Sequence, residues 1–271
     1  MSQLAVPALI LVAAATVGAG ATPHAVLLRT AQEPVPSSLN ECPSATLPDG
    51  DVCVHLPSDT TSAPETPEVS NAHHDRAGKY VVYDQIPRRP DRPADYDAYE
   101  YPIPPGMPGG RHVMSGYDLD QPDSRQRRGR HLSHVGHGGV DLPQKMGTPI
   151  RAIALEHQEG PSEVLFIGWL FGKTVITRHS LREGDRSRDY VLLFGHLDAP
   201  ADGLVVGQQL ADGDPIGTVG NTSSVDFVHL HLEARRVRDD IDLKKLAPGL
   251  LIANEVSVVC DPRNVLPLKA R

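Results

Sequence analysis

Apolar and polar positions alternate most clearly from Val228 to Ala234, where Val-His-Leu-His-Leu-Glu-Ala reads as a strand with two different faces. Two shorter apolar and β-branched runs, Val164–Trp169 and Thr174–Thr177, flank Gly172 and predict a hairpin with a small loop. Tyr190–Phe194 reads as a further buried strand that ends at His196, and Val256–Cys260 as another strand-like run. Between them Leu204–Val206, Gly207-Gln208 and Asp212-Gly-Asp-Pro215 alternate strand and turn signals. Only Asp242–Leu246 reads as a short helix, and no heptad or internal repeat is present. The pattern predicts a mainly β chain with a compact antiparallel sheet or sandwich.

The first part of the chain reads differently. From Thr22 to Gly78 the sequence is rich in Pro, Ser, Thr, Asp and Glu with few large apolar residues, a composition that buries too little surface to offset the entropy of ordering. It is expected to be a disordered linker, and His73 and His74 within it to be solvated. Residues 79–110 are also proline-heavy but carry tyrosines at 80, 83, 96, 99 and 101, as expected of an extended arm packed on a domain rather than free linker. The expected organisation is therefore 1–21 leader, 22–78 linker and 79–271 folded domain with its arm.

Composition narrows this reading. Among 271 residues only 4% are aromatic, while 24 are Gly and 25 Pro, which suits a turn-rich β core better than a helical bundle. A net charge of −8 argues against a nucleic-acid partner. Leu9–Ala21 is an apolar run too short to span a bilayer, and Ala19-Gly20-Ala21 at its end is of the small-x-small cleavage type. No Lys or Arg precedes the run, so an uncleaved anchor is the alternative; the expectation is export, to the cell envelope or beyond, with no integral membrane domain after cleavage. Cys42 and Cys53 lie close enough in sequence for a small disulfide loop, and Cys260 is expected to be a buried apolar residue.

The chemistry-bearing residues stand at even spacings. His229 and His231 share a face if their segment is a strand, because side chains alternate with period two. His137 and Asp141 are also evenly spaced, and Gly138, Gly139 and Gly147 make a helix poor there. Two imidazoles and a carboxylate converging from two strands form the donor set of a catalytic zinc site, with one position left open for water.

Around these residues four blocks occur in order: His137-Gly-Gly-Val-Asp141 with Gly147-Thr148-Pro149-Ile150, then Phe194-Gly195-His196-Leu197, then Gly217-Thr218-Val219-Gly220-Asn221-Thr222, and finally His229-Leu-His231-Leu-Glu233. Together they resemble the lysostaphin-type (LytM) zinc metallopeptidase family, whose members cut peptide bonds in bacterial peptidoglycan, and the likeness runs from about Tyr99 to Pro267. The resemblance implies a duplicated, barrel-sandwich-like β fold with Tyr101-Pro102-Ile103 as its first strand. It implies one Zn2+ per chain held by His137, Asp141 and His231, with His229 as general base and His196 as hydrogen-bond donor to the oxyanion. The implied substrates are peptidoglycan stem or bridge peptides, and the expected state is a monomer.

Two features depart from the family pattern. Arg125–Arg130 and the extra His131 and His134 are inserted before His137, and Asn221–Val228 replaces the usual Gly-Ser-Thr-Gly-Pro run. The charged run Arg182–Arg188 reads as a hairpin tip that borders the cleft or is merely solvated. Remaining histidines such as His112, His157 and His179 are expected on the surface or satisfied in the core. Two other functions are consistent with the motifs: a non-catalytic activator of another wall hydrolase, and a secreted zinc peptidase acting on soluble peptides or proteins. Zinc content separates the first from an enzyme, and digestion of purified wall separates the second.

Overall fold

Strand follows strand through the described residues of the computed structural model, which are 46–49, 52–55, 61–74, 80–107, 113–122 and 135–269. β1 (Thr46–Asp49) and β2 (Val52–His55) form a small hairpin. β3 (Val69–His74) and β4 (Tyr80–Ile86) come next, and β5 (Asp118–Pro122) pairs with β6 (Val135–His137). After them come β7 (Gly139–Pro143), β8 (Pro149–Arg151), β9 (Ser162–Leu170), β10 (Gly172–Glu183) and β11 (Arg186–Pro200). The last four are β12 (Gln209–Leu210), β13 (Pro215–Val219), β14 (His229–Val237) and β15 (Ser257–Cys260). Helix among the described residues is confined to single 3-10 turns, so the mainly β expectation holds. The leader, Cys42, His112, Arg125–Arg130, His131 and His134 lie outside the described residues.

One eleven-stranded sheet organises the domain, with the path β12-β9-β10-β11-β14-β15-β4-β3 and with β13 (carrying β8) and β7 branching from β11 and β14. Alternation along β11 shows why it is buried on both sides. Leu192 and Phe194 face a core shared with Val175, Leu230 and Leu232, whereas Val191 and Leu193 face a second cluster with Ile176, Leu251 and Val256. Each of these side chains contributes about 1.5–3 kcal/mol by leaving water. The second cluster is covered by the excursion 238–256 between β14 and β15. In that excursion the expected helix Asp242–Leu246 is a single 3-10 turn, Leu243–Lys245, capped by Asp242 accepting from Lys244 N–H.

The sheet forks at β11 and β14, and the fork creates the site. β11 pairs with β14 as far as Gly195↔His231, then pairs with β13 from Leu197↔Val219 onward. β14 divides likewise, with β7 beside His229–Glu233 and β15 beside Ala234–Val237. His196 sits at the switch with a left-handed φ of 60°, a conformation rare for a residue with a side chain.

Several boundaries differ from the sequence expectation for physical reasons. Leu204–Val206 is turn rather than strand, because β9 is covered there by the short β12. Tyr101-Pro102-Ile103 is extended but not a strand: it is held by Arg151 N–H donating to Pro102 O and by burial of Tyr101 and Ile103. The arm as a whole is woven into the carboxy-terminal segment. Tyr99 bridges Leu268, and the buried Arg92 donates from Nη2 to Leu266 O (2.6 Å).

Residues 61–74, inside the expected linker, lie against the domain. β3 forms the sheet edge beside β4, and Ala63 bridges Glu183. Here polar contacts replace apolar burial: Thr66 N–H donates to Glu183 Oε1 (2.6 Å), and Arg236 Nη2 donates to Glu68 Oε1 (2.8 Å). Hydrophobic periodicity does not register such a segment. A protein beginning at Thr61 should therefore melt like the full chain, whereas one beginning at Lys79 leaves the buried Arg236 short of partners. The loss should be about 2 kcal/mol or more, or about 4–8 °C in a thermal melt. Equal melting temperatures for the two would show that the strap adds nothing.

Candidate metal centre

His231 lies between two neighbours in the sheet, opposite Gly195 of β11 on one side and Asp141 of β7 on the other. Period-two alternation places His229, His231, Glu233 and Arg235 on the same face of β14. β7 comes this close because it begins with Gly139, where a Cβ would stand 2.4 Å from Leu232 O. His137 ends β6 just before that corner. The corner and the β7–β14 pairing thus bring His137, Asp141 and His231 together from three strands, one more than the sequence suggested.

Their donor atoms converge. Asp141 Oδ1 is 3.1 Å from His137 Nε2 and 2.9 Å from His231 Nδ1, and the two nitrogens are 3.3 Å apart. The partners of the other ring nitrogens assign the tautomers. His137 Nδ1–H donates to Gly116 O (2.7 Å), so its Nε2 is bare. His231 Nε2 faces Glu233 Oε2 at 3.5 Å, so the Nδ1 of its neutral ring is bare as well. With His231 neutral, these three acceptors repel one another until a cation joins them; without a metal, a proton on His231 beside Asp141 takes that place. Two imidazoles and a carboxylate, all buried and within 4.8 Å of each other, fit zinc.

The other two expected site residues border this cluster. The His196 and His229 rings are 4.7 Å apart, and His196 lies 5.9 Å from His231. His196 Nδ1–H donates to Thr222 O (2.7 Å) and His229 Nδ1–H to Phe227 O (3.1 Å), so both present a bare Nε2 when neutral. His229 Nε2 is 3.4 Å from Asp141 Oδ1. Phe227 stacks on His229 and Phe171 on His231. Burial and the neighbouring His229 and His231 push the His196 pKa down to about 4. Burial opposes charge on Asp141, yet the imidazoles around it, His137 foremost, hold its carboxyl well below the usual range. Burial also opposes charge on His231, but its contacts with Asp141 and Glu233 outweigh this and lift it to about 9 with no cation present.

Some of the supporting residues have no signal in the sequence. Ser115 and Gly116 meet His137 from a segment more than twenty residues away, through Ser115 Oγ (3.3 Å) and the Gly116 carbonyl. Thr222 belongs to one of the sequence blocks, where no role attaches to it; its hydroxyl donates to Leu197 O and accepts from Lys173 N–H, tying the 220–228 loop to β11 and to the start of β10. The charged tip between β10 and β11 lies at the far end of that hairpin from His196, paired with Glu65 and Asp239, and does not border the site. His179 is buried and satisfied by Thr177 and Gln158. Cys260 is a buried free thiol, raised to about 12 by burial.

A buried His-Asp-His cluster able to hold a metal ion thus stands at the fork of the β sheet. Residues 135–243 match the model of Peptidase family M23, a family of peptide-bond hydrolases. No curated protein matches the chain. Among solved structures, the chain is similar to the antimicrobial peptidase lysostaphin from Staphylococcus simulans, with 22% identity and a TM-score of 0.36 over 57% of this chain and 49% of that one. It is also similar to a zinc containing peptidase from Vibrio cholerae, with 20% identity and a TM-score of 0.36 over 66% and 47%. A third similarity is to the catalytic domain of a mutant of the prophage-encoded M23 protein EnpA from Enterococcus faecalis, with 17% identity and a TM-score of 0.32 over 54% and 98%. The chain spans about half the length of the first two, and the fold rests on the strand pairing described above rather than on these overlaps.

Gly172 supplies a test of the site's framing. Its φ is +63°, and a Cβ there would stand 2.1 Å from Thr222 O, the carbonyl that holds His196. Gly172→Ala should cost about 2 kcal/mol or more in urea unfolding and disturb the His196 ring signals in NMR. Unchanged stability and spectra would show that the hairpin tip does not support the loop.

Proposed function

We propose that this chain is an exported zinc metalloendopeptidase that hydrolyses peptide cross-links of bacterial peptidoglycan, acting as a monomer on stem or bridge peptides. The observation that carries the reading is the convergence of three bare acceptors, His137 Nε2, Asp141 Oδ1 and His231 Nδ1, in a buried corner. These residues would hold the ion. In such a site zinc supplies Lewis acidity, polarising a peptide carbonyl and making water acidic enough to attack near neutral pH.

The remaining steps belong to the side chains. His229 Nε2 is bare and lies nearest the cluster, 3.4 Å from Asp141, so it takes the proton of the attacking water. The Phe227 carbonyl fixes the tautomer that makes this possible. His196 is neutral at pH 7 and also bare at Nε2. To donate to the oxyanion it must first take up a proton there from bulk solvent, and negative charge developing on the substrate favours that step. The Thr222 carbonyl holds the ring through the other nitrogen. Export rests on the Leu9–Ala21 run with its small-residue motif; no helix among the described residues is long and apolar enough to cross a membrane.

The wild-type protein should contain about one zinc per chain. His137→Ala, Asp141→Ala and His231→Ala should each lose most of it by metal analysis, and stoichiometric zinc in Asp141→Ala would overturn the ligand assignment. His196→Ala and His229→Ala should keep zinc while losing about 10²–10⁴ in turnover. Loss of zinc in His229→Ala would instead exchange the roles of the two β14 histidines. Mass spectrometry of fragments released from defined peptidoglycans tests the substrate, and release from soluble proteins but not from wall would reject the peptidoglycan assignment.

A further inference from the structure

The metal-facing side of β14 does not end at His231. Glu233 and Arg235 continue the same row, both buried, and no step of the proposed mechanism uses either. Glu233 Oε2 stands 3.5 Å from His231 Nε2, a buried nitrogen that makes no hydrogen bond in this cation-free structure. Its second oxygen, Oε1, accepts from Arg235 Nη1 at 2.7 Å. Arg235 in turn donates from Nε to Ser257 Oγ (2.8 Å) and from Nη2 to Asn254 Oδ1 (3.1 Å) and Ser257 O (2.8 Å). Ser257 Oγ donates onward to Leu251 O (2.7 Å). From the other side Gly138 leaves room for the carboxylate, since a Cβ there would stand 2.9 Å from Glu233 Oε2.

A row of this kind is a poor way to stabilise a strand. Removing two charges from water is costly, and apolar residues of similar volume pack as well or better. What apolar residues cannot do is receive the outward N–H of a ring whose inner nitrogen must stay bare.

We propose that Glu233 is a positioning residue for His231: it receives the Nε2–H and so holds Nδ1 toward the metal, while Arg235 clamps the carboxylate to the 238–256 excursion through Asn254 and to the start of β15 through Ser257. The inference rests on the reading of His137, Asp141 and His231 as a zinc site. It has a structural consequence, because Asn254 and Ser257 lie beyond the segment matched to the peptidase family. Metal affinity in this chain is then set partly from outside that segment, by the excursion that covers the second apolar cluster.

The test measures zinc dissociation constants on the full chain by competition with a fluorescent chelator, for wild type, Glu233→Gln and Glu233→Ala, with thermal melts of the zinc-free proteins alongside. Glu233→Ala should weaken zinc binding by about 10–100-fold. Glu233→Gln keeps an acceptor oxygen without the charge and should fall between the alanine variant and wild type. In the zinc-loaded wild type, 15N-edited NMR should show a His231 Nε2–H protected from solvent exchange, and that protection should vanish in Glu233→Ala. Wild-type zinc affinity in both variants would overturn the proposal, and a lowered melting temperature beside it would assign Glu233 a packing role alone. If Glu233→Ala does not fold, wild-type affinity and Nε2–H protection in Glu233→Gln would overturn it equally. Absence of tight zinc binding in the wild type would reject the metal reading itself, an outcome distinct from either of these.

Discussion

Everything at this site follows from one cross-strand pair, His231 opposite Asp141, which sets two acceptor atoms 2.9 Å apart in a largely buried corner. Such a pair is unfavourable unless positive charge joins it. The surrounding structure supports that condition instead of relieving it. The Gly116 carbonyl takes the His137 proton away from the corner, and Glu233 faces the His231 nitrogen that points away from it. The two remaining histidines are likewise anchored by main-chain carbonyls, so four imidazoles present bare nitrogens toward one region. The arrangement is preorganised: little of it has to be rebuilt when a cation or substrate arrives.

The fork of the sheet is the means by which a β fold makes room for this. A regular sheet would place a third strand beside β14 along its whole length. By handing β11 from β14 to β13 at His196, the fold leaves the start of β14 flanked by β7 on one side and by the 220–228 loop on the other. The loop is then free to carry the carbonyls of Thr222 and Phe227. The hairpin tip at Phe171 closes the same gap from beside β10, with its ring stacked on His231.

Much of this was legible in the sequence, and the reason is periodicity. Period-two spacing put His229 with His231, and the alternation of Val228–Ala234 identified β14 to within a few residues, whereas His137 and Asp141 meet across the corner between β6 and β7 rather than along one extended segment. The same reasoning extended two steps further along β14 would have reached Glu233 and Arg235. What it could not reach were contacts made between distant segments by main-chain atoms, such as the Gly116 and Thr222 carbonyls, because a carbonyl has no residue signature. The strap over 61–74 escaped for a related reason. It is held by Glu68, Thr66 and Arg236, and a polar segment fixed by ion pairs has the same composition as a free one.

The left-handed backbone at His196 carries a consequence of its own. Non-glycine residues hold φ near 60° only under constraint, at a cost of about 1–3 kcal/mol that the rest of the fold must carry. Evolution could recover that energy most simply with glycine at this position, which would relax the turn and remove the imidazole in the same step. Under the proposed function, thermal robustness and catalytic competence therefore compete at a single residue. A lineage that no longer needed hydrolysis would be free to settle on the more stable choice, keeping the scaffold as a binding surface.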